Sequence, residues 1–204
     1  MELIMNNKFM YPAIPPFELE ENQPIIGENG SKLATITDYW RWAHSDLLGN
    51  TERGILAEYL VRLALQIKEP RLSWGKYDLL YKNKIKIEVK SSAYIQIWGQ
   101  KNLSTINFSI SPSYGWNYEN NTYENEKKRQ SDIYVFCLLN CKEQEKIQPT
   151  DVMQWEFFVL STKFLNEFSL TAKTIALSTL KKLPVVECDF PHLKETLDGI
   201  ISNI

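Results

Sequence analysis

The residues best suited to chemistry in this sequence are Asp78, Glu88 and Lys90, which lie within the stretch 77–96. Apolar and polar residues alternate on both sides of residues 82–84, a pattern typical of two β-strands joined by a tight turn. An asparagine inside such a turn can adopt the left-handed backbone conformation that short hairpin loops use. The stretch therefore predicts a β-hairpin.

Side-chain parity sets the register of this hairpin. With residues 82–84 as a three-residue loop, one face carries three cross-strand apolar pairs, namely Tyr81–Ile85, Leu79–Ile87 and Tyr77–Val89. The same register puts Asp78 opposite Glu88 on the other face, with Lys90 two residues further along. Because a shift of one residue would split the apolar set between the faces, the register that buries the apolar face also gathers two carboxylates and an amine.

Two carboxylates in this position repel each other unless something neutralises them. A divalent cation between them would turn the repulsion into binding, and hard oxygen ligands suit Mg²⁺, with Mn²⁺ as a substitute. An adjacent ammonium could lower the pKa of an attacking water or stabilise the charge that develops on a phosphate, and the lysine could also orient or, in its neutral form, deprotonate that water. The group is therefore suited to metal-assisted hydrolysis of a phosphodiester.

Asp78 followed by Glu88-Val89-Lys90 resembles the motif of the PD-(D/E)XK, or restriction-endonuclease-like, nuclease superfamily over residues 50–140. The resemblance implies that Asp78, Glu88 and the Val89 carbonyl hold Mg²⁺ and that Lys90 assists the water nucleophile. It also implies an α/β fold with a restriction-endonuclease-like core, in which helices flank a mixed sheet of about four to six strands. One residue departs from the motif, because Tyr77 stands where proline would.

A glutamate on the preceding helix is the fourth candidate for this site. Residues 51–67 have apolar side chains on most sides of a predicted helix, which indicates a buried element. Glu58 lies among them, where an unpaired carboxylate is costly. Either Arg62 neutralises it or it joins the Asp78 and Glu88 carboxylates, directly or through water, as in many members of the superfamily.

Further polar residues near the motif could position water or contact phosphates. Gln96 has the parity of the active face if its strand stays regular, and a plain surface amide is the alternative. Candidate nucleic-acid contacts are Ser91, Ser92, Lys86, Lys101, Lys127, Lys128 and Arg129. For Arg129 an ion pair with Asp132 is the competing interpretation.

The remaining chain predicts other elements of an α/β domain. We expect an irregular N-terminal arm over residues 1–31, rich in proline, and a single nuclease-like domain over residues 32–204. Helices are predicted over 35–48 and 51–67, and strands over 103–110, 133–139 and 155–160. Residues 111–128 are predicted to form a polar loop with interleaved aromatic and basic residues, and residues 163–204 short helices and turns.

Composition bounds the function less tightly than the motif does. The 204 residues are 44% hydrophobic and 24% charged, which suits one globular domain with a full core. The net charge of −2 provides no global attraction to nucleic acid, but residues 76–101 hold six lysines against two acids. Three cysteines without metal-site spacing, and no apolar run of membrane-spanning length, lead us to expect a cytoplasmic protein with reduced thiols.

The sequence thus predicts a Mg²⁺-dependent nuclease whose partner is nucleic acid, with DNA favoured. A homodimer would suit double-strand cutting. Three alternatives stay open: a catalytically inactive nucleic-acid-binding module of the same fold, a non-enzymatic partner-binding protein, and an ordinary hairpin whose charged face is simply solvated.

Overall fold

The computed structural model describes residues 9–73 and 75–203. In chain order the strands are β1 (Pro24–Ile26), β2 (Lys32–Thr35), β3 (Leu79–Tyr81), β4 (Ile85–Ala93), β5 (Asn107–Ser109), β6 (Ser113–Asn117), β7 (Thr122–Lys128), β8 (Ile133–Leu139), β9 (Trp155–Ser161), β10 (Thr174–Ala176) and β11 (Val186–Cys188). The helices are α1 (Ile36–Ala43), α2 (Asn50–Leu65), α3 (Thr162–Phe168), α4 (Leu177–Leu180) and α5 (Leu193–Ile201).

The main sheet has five strands in the order β11-β9-β8-β4-β3. Strands β4 and β8 run parallel, whereas the other three neighbouring pairs are antiparallel. Strand β8 is buried along its whole length, which explains why its seven residues are all apolar. The prediction of an α/β fold with a mixed sheet flanked by helices is confirmed.

Each face of this sheet is covered by a separate apolar cluster. On one face, Ile87 and Val89 of β4 pack with residues of α2 and α5. On the other face, Phe136 of β8 packs with residues of β5, α3, β10 and α4. Glu88 and Lys90 belong to this second face, where they lie beside Tyr134 and Phe136 in the β4–β8 register.

The β3–β4 hairpin has the predicted register. Leu79 pairs with Ile87 and Tyr81 with Ile85, which leaves residues 82–84 as the loop. Asn83 has a positive φ of 54°, as expected, and Lys82 has one of 51° as well. Two consecutive left-handed residues match the twist of a tight hairpin, so the turn itself helps to fix the register.

The prediction of a loop over residues 111–128 is wrong, because these residues form the β6–β7 hairpin. The rings of Trp116 and Tyr123 pack across it, with their centroids 4.6 Å apart. Gly115 permits a close approach within this hairpin, since an added Cβ would lie only 2.7 Å from the carboxyl carbon of Glu124. The hairpin thus brings Glu124 against the backbone of β6.

Smaller differences concern the ends of the chain and of individual elements. Helix α1 ends at Ala43 rather than at residue 48, and β5 covers only the second half of 103–110. The region 163–204 holds strands β10 and β11 besides its helices. Strand β1 lies inside the predicted arm and pairs with β2 across the predicted boundary at residue 31, while residues 1–8 lie outside the described residues. None of the described helices is long and apolar enough to cross a membrane.

Candidate active site

The hairpin places Asp78 and Glu88 next to each other at the edge of the sheet. The backbone N–H of Asp78, which directly precedes the Leu79–Ile87 pair, donates to the Ile87 carbonyl at 3.1 Å, and this contact brings Asp78 beside Glu88. The Asp78 side chain turns back onto β4, where its Oδ2 accepts a hydrogen bond of 2.7 Å from the Val89 N–H. That bond leaves the other carboxylate oxygen of Asp78 available to a ligand.

Two neighbours hold the Glu88 carboxylate. Lys90 Nζ lies 2.6 Å from Glu88 Oε1, and the Ser131 hydroxyl donates to Oε2 at 3.1 Å. Both charged side chains are largely buried, with 19% of Glu88 and 28% of Lys90 exposed. Sequence reasoning found Lys90 but missed Ser131, which precedes β8 and reaches Glu88 only because β8 pairs with β4.

Glu58 of α2 binds an arginine, although not the one that the sequence suggested. Arg71 donates to it through two parallel bonds, from Nε to Oε2 at 2.5 Å and from Nη2 to Oε1 at 3.0 Å. Arg62 instead donates to the backbone carbonyls of Lys68 and Glu69, in the segment that follows α2. The alternative in which Arg62 neutralises Glu58 is therefore wrong, and Arg71 is a site residue that the sequence analysis missed.

The electrostatics of Asp78 link all four predicted acid and lysine side chains. Burial, followed by the charge of Glu88, raises the pKa of Asp78 from its ordinary value of 3.8 to about 7. Lys90 opposes this shift, and Glu58 adds to it. The three carboxylates and the ammonium are thus close enough to interact, as the hairpin register predicts for three of them.

The Lys90 side chain stays positively charged in this setting. Burial by itself would lower the pKa of Lys90, but the charges of Glu88, Asp78 and Glu58 outweigh it and raise the pKa above its ordinary value. A charged ammonium donates hydrogen bonds and stabilises anions, whereas it cannot accept a proton. In this arrangement Lys90 is suited to orienting a water or stabilising a negative phosphate.

The donor set has the chemistry that a hard divalent cation requires, although it is not preformed as a cage. Among residues 9–73 and 75–203, no group of three or more His, Cys, Asp or Glu side chains is arranged to hold a metal ion. Asp78 and Glu88 nevertheless provide carboxylate oxygens whose mutual repulsion a cation would relieve. Mg²⁺ often binds through one or two carboxylates and keeps several waters, which fits this pair.

Gln96 is bonded within the protein rather than to this group of acids. Its Oε1 accepts from Arg53 Nη1 at 3.1 Å, and its Nε2 donates to the Ala93 carbonyl at 2.7 Å and to the Ser104 hydroxyl at 3.3 Å. Arg53 is a buried residue of α2. These contacts give Gln96 the role of joining the end of β4 to α2.

The predicted nucleic-acid contacts fall into two sets. Lys86, Lys101, Lys127 and Lys128 are exposed, although Lys128 pairs with Glu124 at 3.0 Å and Lys127 Nζ lies 5.1 Å from the centre of the Tyr114 ring. Ser91 and Ser92 are half-buried and buried, respectively. Among the predicted nucleic-acid contacts, the exposed lysines are the residues that a nucleic-acid chain can reach directly.

Arg129 does not belong to that surface. Its guanidinium donates to the Ile110 carbonyl at 2.9 Å, to Asn166 Oδ1 at 2.6 Å and to the Ala172 carbonyl at 3.2 Å. Asp132, the alternative partner, accepts from the Lys86 N–H instead. Arg129 is 7% exposed, so it ties three segments together and is unavailable to a phosphate.

Comparison with known proteins places the chain in an endonuclease family. The family model described as bacteriophage T4 endonuclease IV matches residues 34–178, a range that includes every predicted site residue. A solved structure of the bacterial homing endonuclease I-Ssp6803I is similar at 18% identity and a TM-score of 0.34, covering 62% of this chain and 76% of that one. No curated protein matches the chain.

Proposed function

Because the chain belongs to the bacteriophage T4 endonuclease IV family, we propose that it is a Mg²⁺-dependent endonuclease that hydrolyses phosphodiester bonds of DNA. We assign its site to the PD-(D/E)XK type. The observation that carries this proposal is the joint burial of Asp78, Glu88 and Lys90 on one face of the β3–β4 hairpin, within electrostatic range of Glu58.

In this proposal Asp78 and Glu88 hold Mg²⁺ together with the Val89 carbonyl, and Glu58 completes the site directly or through water. The bound ion would lower the pKa of a water and neutralise the phosphate, and Mn²⁺ would substitute for it. Lys90 orients the attacking water and stabilises the charge on the phosphate, because its ammonium remains protonated. The water oxygen forms a bond to phosphorus in line with the P–O3′ bond that breaks, and the water supplies the proton of the leaving 3′-hydroxyl, so the other product carries a 5′-phosphate.

The substrate backbone is proposed to run along the exposed lysines around the hairpin. Lys86 extends from β4 itself, Lys101 follows that strand, and Lys127 and Lys128 lie on β7. Such a local patch attracts phosphates even on a chain with a net charge of −2. Gln96 supports the site indirectly by joining the end of β4 to α2, and Ser91 and Ser92, which follow Lys90 on β4, are retained as candidate phosphate contacts.

A cleavage screen tests the proposal. Labelled single- and double-stranded DNA and RNA are incubated with the protein in Mg²⁺, Mn²⁺ or EDTA. We expect cutting only with a divalent ion, and a loss of at least ~100-fold in Glu88→Gln and Lys90→Ala. Glu143→Gln is the matched control, since it changes an exposed acid whose ion pair with Lys146 lies outside the proposed site.

Two results would count against the proposal. Cutting in EDTA would show that the reaction does not require a divalent ion. Full activity in Glu88→Gln would show that Glu88 is not part of the active site. Binding without cutting under every metal condition would favour the inactive nucleic-acid-binding module, for which the ion pairs of Glu58 with Arg71 and of Glu88 with Lys90 are the supporting observation.

A further inference from the structure

Arg71 lies at the boundary between the carboxylate group and open space. It belongs to the segment that joins α2 to β3, and 39% of its side chain is exposed, against 13% for Glu58. Both residues also line a cavity of about 330 Å³, together with Arg62 of α2. The guanidinium therefore has room to turn away from Glu58 without disturbing the apolar clusters of the sheet.

The guanidinium of Arg71 interacts with two acids of the proposed site. Its planar guanidinium holds both oxygens of Glu58, and the charge of Asp78 acts on it as well. The paired geometry with which arginine binds a carboxylate also fits the oxygens of a phosphate. A phosphodiester placed at Asp78 and Glu88 would thus lie near a fork of donors that is already oriented.

We propose that Arg71 is a phosphate-binding residue that Glu58 holds in place until nucleic acid arrives. When the backbone enters the site, the guanidinium exchanges the Glu58 carboxylate for a phosphate oxygen. The exchange frees Glu58 to face the cation held by Asp78 and Glu88. This inference rests on the proposed function, because it assumes that a phosphodiester binds at the same group of acids.

The exchange makes a specific prediction for binding in the absence of metal. Removing the charge of Glu58 releases Arg71, so Glu58→Gln should bind DNA more tightly, by about fivefold in low salt. In the Arg71→Ala background the same substitution should change the affinity by less than about twofold, since only a small relief of repulsion is left. Arg71→Ala alone should weaken binding and lower the slope of log K against log salt by about one phosphate contact.

The measurement is fluorescence anisotropy of 5′-labelled DNA oligonucleotides, single-stranded and duplex, with the full chain in EDTA. Melting curves first establish that each variant is folded. Where Arg71→Ala is not, Arg71→Lys replaces it, because lysine keeps the charge but lacks the paired donors, and the coupling to Glu58 should again fall. Arg62→Ala is the matched control, since Arg62 lines the same cavity but donates to backbone carbonyls, so its effect and that of Glu58→Gln should simply add.

Equal effects of Glu58→Gln with and without Arg71 would overturn the inference, as would a loss in Arg71→Ala no larger than that in Arg62→Ala. The binding measurement can succeed or fail separately from the cleavage screen, because no metal is present and no bond is cut. Coupling without Mg²⁺-dependent cleavage would keep the role of Arg71 and reject the enzyme. Cleavage without coupling would keep the enzyme and reject the role of Arg71.

Discussion

At the scale of single residues, the proposed site destabilises the metal-free fold. Asp78 and Glu88 are buried side by side, and the raised pKa of Asp78 reflects burial and the neighbouring negative charge. A protein retains such a pair against its own stability when the pair serves binding or catalysis. The positive charges of Lys90 and Arg71 reduce this cost without removing it.

Asp78→Asn should therefore stabilise the protein in EDTA. The asparagine oxygen still accepts the bond from the Val89 N–H, while the repulsion disappears, so we expect a gain of about 2 kcal/mol at pH 8. Below pH 7 the wild-type carboxyl is protonated in the folded state but ionised in the unfolded chain, so its penalty shrinks. Denaturant unfolding should show the gain vanishing as the pH falls from about 7 to about 4, and a gain that grew in this range would contradict the account.

Arg129 and Lys128 are adjacent basic residues for which the structure predicts opposite phenotypes. Arg129→Lys should cost about 2–3 kcal/mol of stability, because three acceptors, one of them buried and two partly buried, lose most of their hydrogen bonds to the guanidinium. Lys128→Ala should change stability by less than about 0.5 kcal/mol, since the residue is exposed, but it should weaken DNA binding. Urea unfolding and anisotropy titrations of both variants check this. Equal unfolding curves for the two variants would show that the contacts of Arg129 do not stabilise the fold.

Local spacing is sufficient to predict some of these residues but not others. Asp78, Glu88 and Lys90 could be placed together because one hairpin register fixes all three. Arg71 and Ser131 could not, because each reaches its acid only through packing between separate elements. Arg62 was the natural choice for Glu58 at helical spacing, but the carbonyls of Lys68 and Glu69, in the segment after α2, bind it instead.

At the scale of elements, helix α5 holds the hairpin that carries the site. Asp198 of α5 accepts hydrogen bonds from Tyr81 and Lys82 of the hairpin and from Lys194 of its own helix. Burial would raise the pKa of Asp198, but these bonds outweigh it and lower the pKa to about 2. The turn is thereby fastened at the end opposite to Asp78.

Asp198→Asn should lower the free energy of unfolding by about 1 kcal/mol at pH 7. The folded pKa lies below the unfolded one, so this contribution is present above about pH 4 and is lost as the pH falls towards about 2. Thermal unfolding at several pH values measures the window. Glu143→Gln removes a more exposed acid and should have little effect, and equal effects of the two variants would reject the fastening role.

The elements that the sequence failed to predict lack an apolar pattern. Strand β7 reads Thr-Tyr-Glu-Asn-Glu-Lys-Lys and is exposed along almost its whole length, so no alternation distinguishes it from a loop. The β6–β7 hairpin is instead supported by the Trp116–Tyr123 contact and by the Lys76–Glu124 ion pair of 2.6 Å. Strand β8, with its continuous apolar run, could be predicted with both ends correct.

At the scale of the whole molecule, the sheet joins distant parts of the chain into one site. Parallel pairing of β4 with β8 brings Ser131 to Glu88, and α2 carries Glu58 to the same edge. The strand order follows from these long-range contacts, which no single stretch of sequence encodes. The fold class could be predicted because each strand or helix has its own local pattern. Alternating or short continuous apolar runs indicate strands, and apolar residues at a spacing of about 3.6 indicate helices.

The central claim is that Asp78 and Glu88 jointly hold one divalent cation, and a calorimetric titration of the purified chain with Mg²⁺ tests it most directly. We predict one binding site per chain, lost or weakened at least ~10-fold in Asp78→Asn and in Glu88→Gln, and retained in Glu143→Gln. Wild-type Mg²⁺ affinity in both site variants would contradict the account.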